Sequence, residues 1–222
     1  IRLIDKMSKG MCNFATLFKE DEKQISEKAI RQYCKSVLGY PLIFICQLMN
    51  WYRGKTDFTH VRYKKEIIDI GVFIQLANVT RDIEEDLVNK VVYHNLLIPY
   101  KNKTEKKDLS DPILQGKIKK VRQDIIVMAL NASSSYPYFF YEYFMDSISI
   151  RLSMLIFLKF TEIFYRNACY NHFQIGGKSS VYVMIIKCIL YSLTTQSSYR
   201  VSIYSVQELQ NLRLELMNLK LV

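Results

Sequence analysis

Breakers are scarce in this chain: its 222 residues include only 7 Gly and 4 Pro. Over long stretches apolar residues recur about every three to four positions, which is the period of a helix face. A fold of many short strands needs turn residues at each reversal, so long helices are expected instead. Ile4, Met7, Met11, Phe14 and Leu17 mark an amphipathic opening helix. After a turn at Asp21 to Gln24, a helix runs through Ile30, Tyr33, Cys34, Val37 and Leu38. Pro41 should kink it before Leu42 to Leu48 continue. A polar connection from Trp51 to Thr59 precedes a long helix from about Tyr63 to Val88. Lys101 to Asp111 reads as a charged loop ending at Pro112. Ile113 to Ala132 reads as a helix broken over Asn131 to Pro137. Helices over Phe140 to Asn167 and Ser180 to Leu193 follow. A short last one runs from Ser205 to Leu219, striped by Leu209, Leu212, Leu216 and Leu219. The expected architecture is an all-α bundle, with Ile1 to Val222 forming one helical domain.

The aromatic run from Tyr136 to Phe144 is expected to be packed core. The net charge is +10, with much of the excess between Lys101 and Arg122. That balance suits nucleic acid, an anionic membrane surface or phosphorylated small molecules. No zinc finger, helix-turn-helix spacing or stacking motif supports nucleic acid, which is not expected as a partner. Cys12, Cys34, Cys46, Cys169 and Cys188 are scattered without metal-ligand spacing, and read as buried thiols in a reducing compartment. His60, His94 and His172 are isolated. The most apolar window, Val181 to Leu193, carries Lys187 and is too short to span a bilayer.

The segment Gly71-Val-Phe-Ile-Gln-Leu-Ala-Asn-Val-Thr-Arg-Asp-Ile-Glu-Glu-Asp86 is the most informative. On a helix, Gly71, Gln75, Asn78, Asp82 and Asp86 fall within a strip roughly 80° wide. Ile68, Val72, Leu76, Val79 and Ile83 lie beside it, so polar groups border the core. Such placement is costly unless something compensates them. A hard cation would do so: two carboxylates one turn apart, with an amide oxygen a turn earlier, suit magnesium and substrate phosphates. Arg81, on a neighbouring face, could fork onto a diphosphate oxygen. The bland alternative is a solvent-facing helix whose acids pair with nearby cations.

The full string resembles the second aspartate-rich helix of the squalene/phytoene synthase family, approximately Gln-Leu-Thr-Asn-Ile-Leu-Arg-Asp-x-x-Glu-Asp. Gln75, Asn78, Arg81, Asp82, Glu85 and Asp86 fall in register with it. Upstream, Tyr33-Cys-Lys-Ser-Val-Leu-Gly-Tyr-Pro-Leu42 is similar to the family's Tyr-Cys-x-x-Val-Ala-Gly-x-x-Gly helix. A looser likeness runs from Ile150-Arg151 through Phe160-Thr-Glu162-Ile-Phe to Tyr170-Asn-His-Phe173. The resemblance implies an isoprenoid-synthase-type bundle around a central cavity, and a transferase joining two prenyl diphosphates head to head with Mg2+. Asn78, Asp82 and Asp86 would hold the metal on the diphosphate. Tyr33 would sit near the departing group and Arg81 would steady it. Val37, Leu38, Gly39, Leu42 and Gln75 would bind substrate. The implied setting is intracellular, peripheral to a membrane in the cytosol or in mitochondria.

Four departures from the family pattern bear on function. No equivalent of the family's first aspartate motif is present, so the bundle is expected to be incomplete at its N-terminus, with roughly the C-terminal two-thirds present. Leu38 and Leu42 stand where the family has Ala and Gly, which would shorten the prenyl channel. Phe160 and the Gly176-Gly177 pair stand where the family often has Tyr and Arg. The family's Arg-x-Tyr-x-Pro segment is poorly matched, with Tyr93 and Pro99 further apart. The resemblance therefore also implies an alternative: a non-catalytic relative with protein partners, acting as a scaffold or assembly factor, for example in a mitochondrial respiratory complex.

Overall fold

A computed structural model describes residues 2–19, 25–169 and 178–219, and these are helical or in short connections. The helices are α1 (Arg2–Lys19), α2 (Glu27–Cys34), α3 (Tyr40–Tyr52), α4 (Lys64–Val88), α5 (Pro112–Ala132), α6 (Tyr136–Tyr143), α7 (Ile148–Cys169), α8 (Lys178–Ser192) and α9 (Thr195–Leu219). The expected turn at Asp21 to Gln24 and the segment Tyr170 to Gly177 lie outside the described residues.

Helix ends follow local chemistry. Ser26 Oγ accepts the Ala29 N–H at 3.1 Å and starts α2. Asp111 caps α5, with Pro112 in its first turn. Pro41 stands in the first turn of α3. Lys35–Gly39 forms a π-helical turn between α2 and α3, a local widening of the kind that appears within otherwise continuous helices.

α4 is the axis of the bundle. One core forms where Phe73, Leu76 and Ile83 meet Ile118 and Ile125 of α5, Tyr165 of α7 and Leu209 of α9. A second gathers Ile67 and Ile70 with Ile43, Tyr136, Phe139, Phe140, Leu155 and Cys188. The aromatic run is core as expected: Tyr136, Phe139, Phe140, Tyr143 and Phe144 are buried, while Tyr138 and Tyr141 are exposed. Four of the five thiols are buried, and Cys12 is exposed. Burial pushes the thiols of Cys34, Cys46 and Cys169 up to about 12.

Three expectations change. α1 turns Ile4 and Met11 outward and meets the π turn through Gly10, where an added Cβ would collide with Ser36. The helix expected from Phe140 to Asn167 is two, α6 and α7. Arg53 holds the break by donating to the Glu142 and Tyr143 carbonyls and pairing with Asp146. α9 begins ten residues earlier than expected, because the Thr194 hydroxyl accepts the Ser197 N–H and caps it.

Candidate functional site

The polar strip on α4 is not uniform along its length. At its N-terminal end, Gly71 lies against the π turn so closely that a Cβ there would stand 2.5 Å from Gly39 backbone atoms. Gly71 thus permits a backbone-to-backbone crossing that brings α2 alongside the strip. One turn on, buried Gln75 donates from Nε2 to the Tyr33 hydroxyl at 3.4 Å. Asn78 is exposed, and its Nδ2 approaches Gln75 Oε1 at 3.5 Å. Asp82 and Asp86 are half-buried.

The end of α4 supplies a residue that motif reading did not assign to the site. Lys90 adopts the left-handed conformation (φ 64°). The Lys90 N–H then bonds the Leu87 carbonyl at 3.0 Å, and the Val91 N–H bonds the Asp86 carbonyl at 2.8 Å. This Schellman closure reverses the chain and lays Tyr93 back over the helix. The Tyr93 hydroxyl donates to the Asp86 carboxylate, and the Tyr33 and Tyr93 rings are 6.3 Å apart. Gln75, Tyr33, Tyr93 and Asp86 therefore form one connected polar run beside the strip.

Electrostatics separate the two acids. Burial raises the Asp86 carboxyl above the usual range; the negative charges of Asp82 and Glu85 add to this, and the Tyr93 hydrogen bond opposes it. Burial likewise holds the phenols of Tyr33 and Tyr93 firmly protonated. Asp82 instead meets Arg81, whose Nε and Nη2 donate to its two carboxylate oxygens at 2.7 and 2.8 Å. That guanidinium is 60% exposed, so the pair contributes little to stability.

On the far side of the strip, a cavity of about 190 Å³ opens between α4 and α7. Asn78 and Arg81 stand on its wall, and Phe157, Phe160 and Phe164 give it an aromatic lining. Of the other expected substrate residues, Val37, Leu38 and Leu42 are half-buried, and Leu42 packs on the second core. Gly39 is buried against Gly71 and Ile68. Among the described residues no three His, Cys, Asp or Glu side chains gather as a metal cluster. The oxygen set of the strip is two carboxylates and an amide. These are donor types that magnesium accepts alongside water and substrate phosphate, although both oxygens of Asp82 are here taken by Arg81.

A second concavity, of about 580 Å³, lies between α2, α5 and α9. His94, isolated in sequence, sits on its wall 3.6 Å from Asp124. Its Nδ1 accepts the Leu96 N–H at 3.2 Å, which leaves neither ring nitrogen free to serve as a base for Ser26 on the same wall.

No family model and no curated protein matches the sequence. Among solved structures, the chain is similar to TcSQS, a squalene synthase, in its complex with the ligand E5700, with a TM-score of 0.64 and 16% identity. The match covers 93% of this chain and 59% of TcSQS, so the chain spans less than two thirds of that protein's length. At this identity the likeness is one of fold. The chain has the all-α architecture of an isoprenoid synthase, and a shared fold does not by itself carry an activity.

Proposed function

We propose that this chain forms the diphosphate-binding part of a squalene/phytoene-synthase-type prenyltransferase, one that joins two prenyl diphosphates head to head. The observation that carries the reading is the α4 strip. Asp82 and Asp86 stand one turn apart, beside two protonated phenols, and next to a cavity lined by aromatic rings. In this reading Asn78, Asp82 and Asp86 hold magnesium, which when bound neutralises charge developing on the leaving diphosphate. Tyr93 orients Asp86 with its O–H, and Tyr33, which accepts from Gln75, offers its own O–H towards phosphate oxygen. Arg81, exposed and on the cavity wall, exchanges Asp82 for the same diphosphate and forks onto it. Phe157, Phe160 and Phe164 exclude water from the prenyl end. Gln75 fixes the Tyr33 hydroxyl. Val37, Leu38, Gly39 and Leu42 shape the crossing that sets the Tyr33 helix against α4.

The competing reading is a scaffold or assembly factor built on the same helical shell. It draws on Arg81, which takes both oxygens of Asp82. One assay separates the two. The natural protein containing this sequence is incubated with farnesyl or geranylgeranyl diphosphate, with and without magnesium, and diphosphate release is measured. The enzyme reading expects release that requires magnesium and is lost in Asp82→Ala. No release from the folded protein with either substrate would overturn it in favour of the scaffold.

A further inference from the structure

The concavity between α2, α5 and α9, of about 580 Å³, has the size of a small-molecule site. Ile30, Ile125, Met128 and Met217 give it apolar walls. Two of these are methionines, whose flexible side chains fit themselves to varied shapes. The remaining walls are polar, and there the charges pair off with one exception. Arg31 donates from Nε to Glu27 Oε1 at 3.0 Å. His94 lies 3.6 Å from Asp124. Arg213 of α9, on the same walls, pairs with no acid among the described residues.

Arg213 is half-buried, and its Nε is closed to solvent with no hydrogen-bond partner. Such a donor has lost its water and gained no acceptor, which is unfavourable until one arrives. Arg122 shows how the fold completes a buried guanidinium, by bringing the Thr80 carbonyl and Glu84 to it. No described residue takes that part for Arg213, and the acceptor is left to a ligand. A guanidinium fork matches a carboxylate, and the Asn131 amide on the same walls is a second donor. One unanswered positive charge calls for one negative charge. A phosphate ester would bring a second beside Glu27 and Asp124, which repel it.

We propose that this concavity binds an organic monocarboxylate, its carboxylate held by Arg213 and Asn131 and its apolar body lying against Ile30, Ile125, Met128 and Met217. The site shares no residue with the α4 strip or the aromatic cavity beside it, so it goes beyond the proposed activity and does not depend on it. The test is titration of the natural protein containing this sequence with octanoate, and with octanamide as the uncharged probe of equal length. Methionine methyl signals are followed by NMR. Octanoate is expected to shift the Met128 and Met217 signals, and octanamide to bind about tenfold more weakly. Arg213→Met should weaken octanoate to the level of octanamide. Arg200→Met, which removes an exposed cation of α9 away from the concavity, should leave the titration unchanged. Melting curves confirm that each variant is folded, and the comparison of the two probes on the unaltered protein needs no variant. Equal binding of octanamide, undiminished binding in Arg213→Met, or equal loss in Arg200→Met would overturn the proposal. So would octanoate that leaves Met128 and Met217 unshifted.

Discussion

α4 carries ionised groups on two of its faces, and the two are built differently. Towards α5, Glu84 and the Thr80 carbonyl meet Arg122, whose side chain is only 5% exposed and donates to both, at 3.4 and 3.3 Å. Burial pulls the Arg122 guanidinium down and Glu84 pushes it back up. That face is closed, since a buried cation has found its acid and a carbonyl. On the strip side, two acids sit one turn apart and meet phenols and an exposed guanidinium. A pair serving the fold places charge opposite charge, whereas the strip leaves negative charge only partly answered. That difference favours a ligand site over a structural pair on the strip.

The largest expected effect tests whether the strip accepts a ligand. Inorganic diphosphate with magnesium should stabilise the protein by about 2.7 kcal/mol at a hundredfold excess over its Kd. Asp82→Asn with Asp86→Asn should melt as the parent does without ligand, yet lose this gain. A thermal melt with magnesium alone, diphosphate alone and both together reads it. A gain that survives the double substitution moves the ligand off the strip.

The closed face should respond in the opposite way. Arg122→Leu strands Glu84 beside the core. Glu84 is partly exposed, so the loss should be about 2 kcal/mol, below that of a fully buried pair. Urea denaturation measures it, and the diphosphate gain should persist.

The two faces were not equally legible in the sequence. The strip is a matter of period within one helix, so Gln75, Asn78, Asp82 and Asp86 could be aligned from spacing alone. The Tyr33 helix could be placed beside it only through resemblance. Tyr93 escaped because its position depends on a chain reversal at Lys90, a left-handed residue without the glycine that usually signals one. Arg122 counts in the sequence only towards the basic excess between Lys101 and Arg122, because its partners lie about forty residues away. The break between α6 and α7 was hidden for the same reason. It falls at Phe144 to Ser147, where the Ser147 hydroxyl accepts the Ile150 N–H at 3.2 Å, and it is held by Arg53, roughly ninety residues upstream. Local period is written locally, and long-range pairing overrides it.

Lys90 offers a smaller test of how Tyr93 is positioned. A left-handed non-glycine residue costs about 1–2 kcal/mol, part of which glycine gives back as extra freedom in the unfolded chain. Lys90→Gly should therefore stabilise the protein by about 0.5–1 kcal/mol and keep the Tyr93–Asp86 contact. A destabilised Lys90→Gly would mean that the lysine side chain itself supports the turn.

The smallest effect concerns Asp69, an α4 acid that belongs to neither arrangement. It lines the groove between α2 and α4. Burial raises its carboxyl above the usual range and Glu66 adds to that, while Lys65 and Arg31 pull it down. The folded value therefore lies above the unfolded one, and folding favours the protonated form. Below the unfolded carboxylate range both states hold the proton, and the contribution of Asp69 to stability is complete. As pH rises through the unfolded value towards the raised folded value, the unfolded chain releases its proton first and stability is lost. Asp69→Asn has no proton to lose there. The stability of the parent relative to Asp69→Asn should thus fall across that window and level off above it. Urea titrations of both proteins at matched pH values and salt provide the measurement. A difference that rises with pH would mean that Lys65 and Arg31 outweigh burial at Asp69.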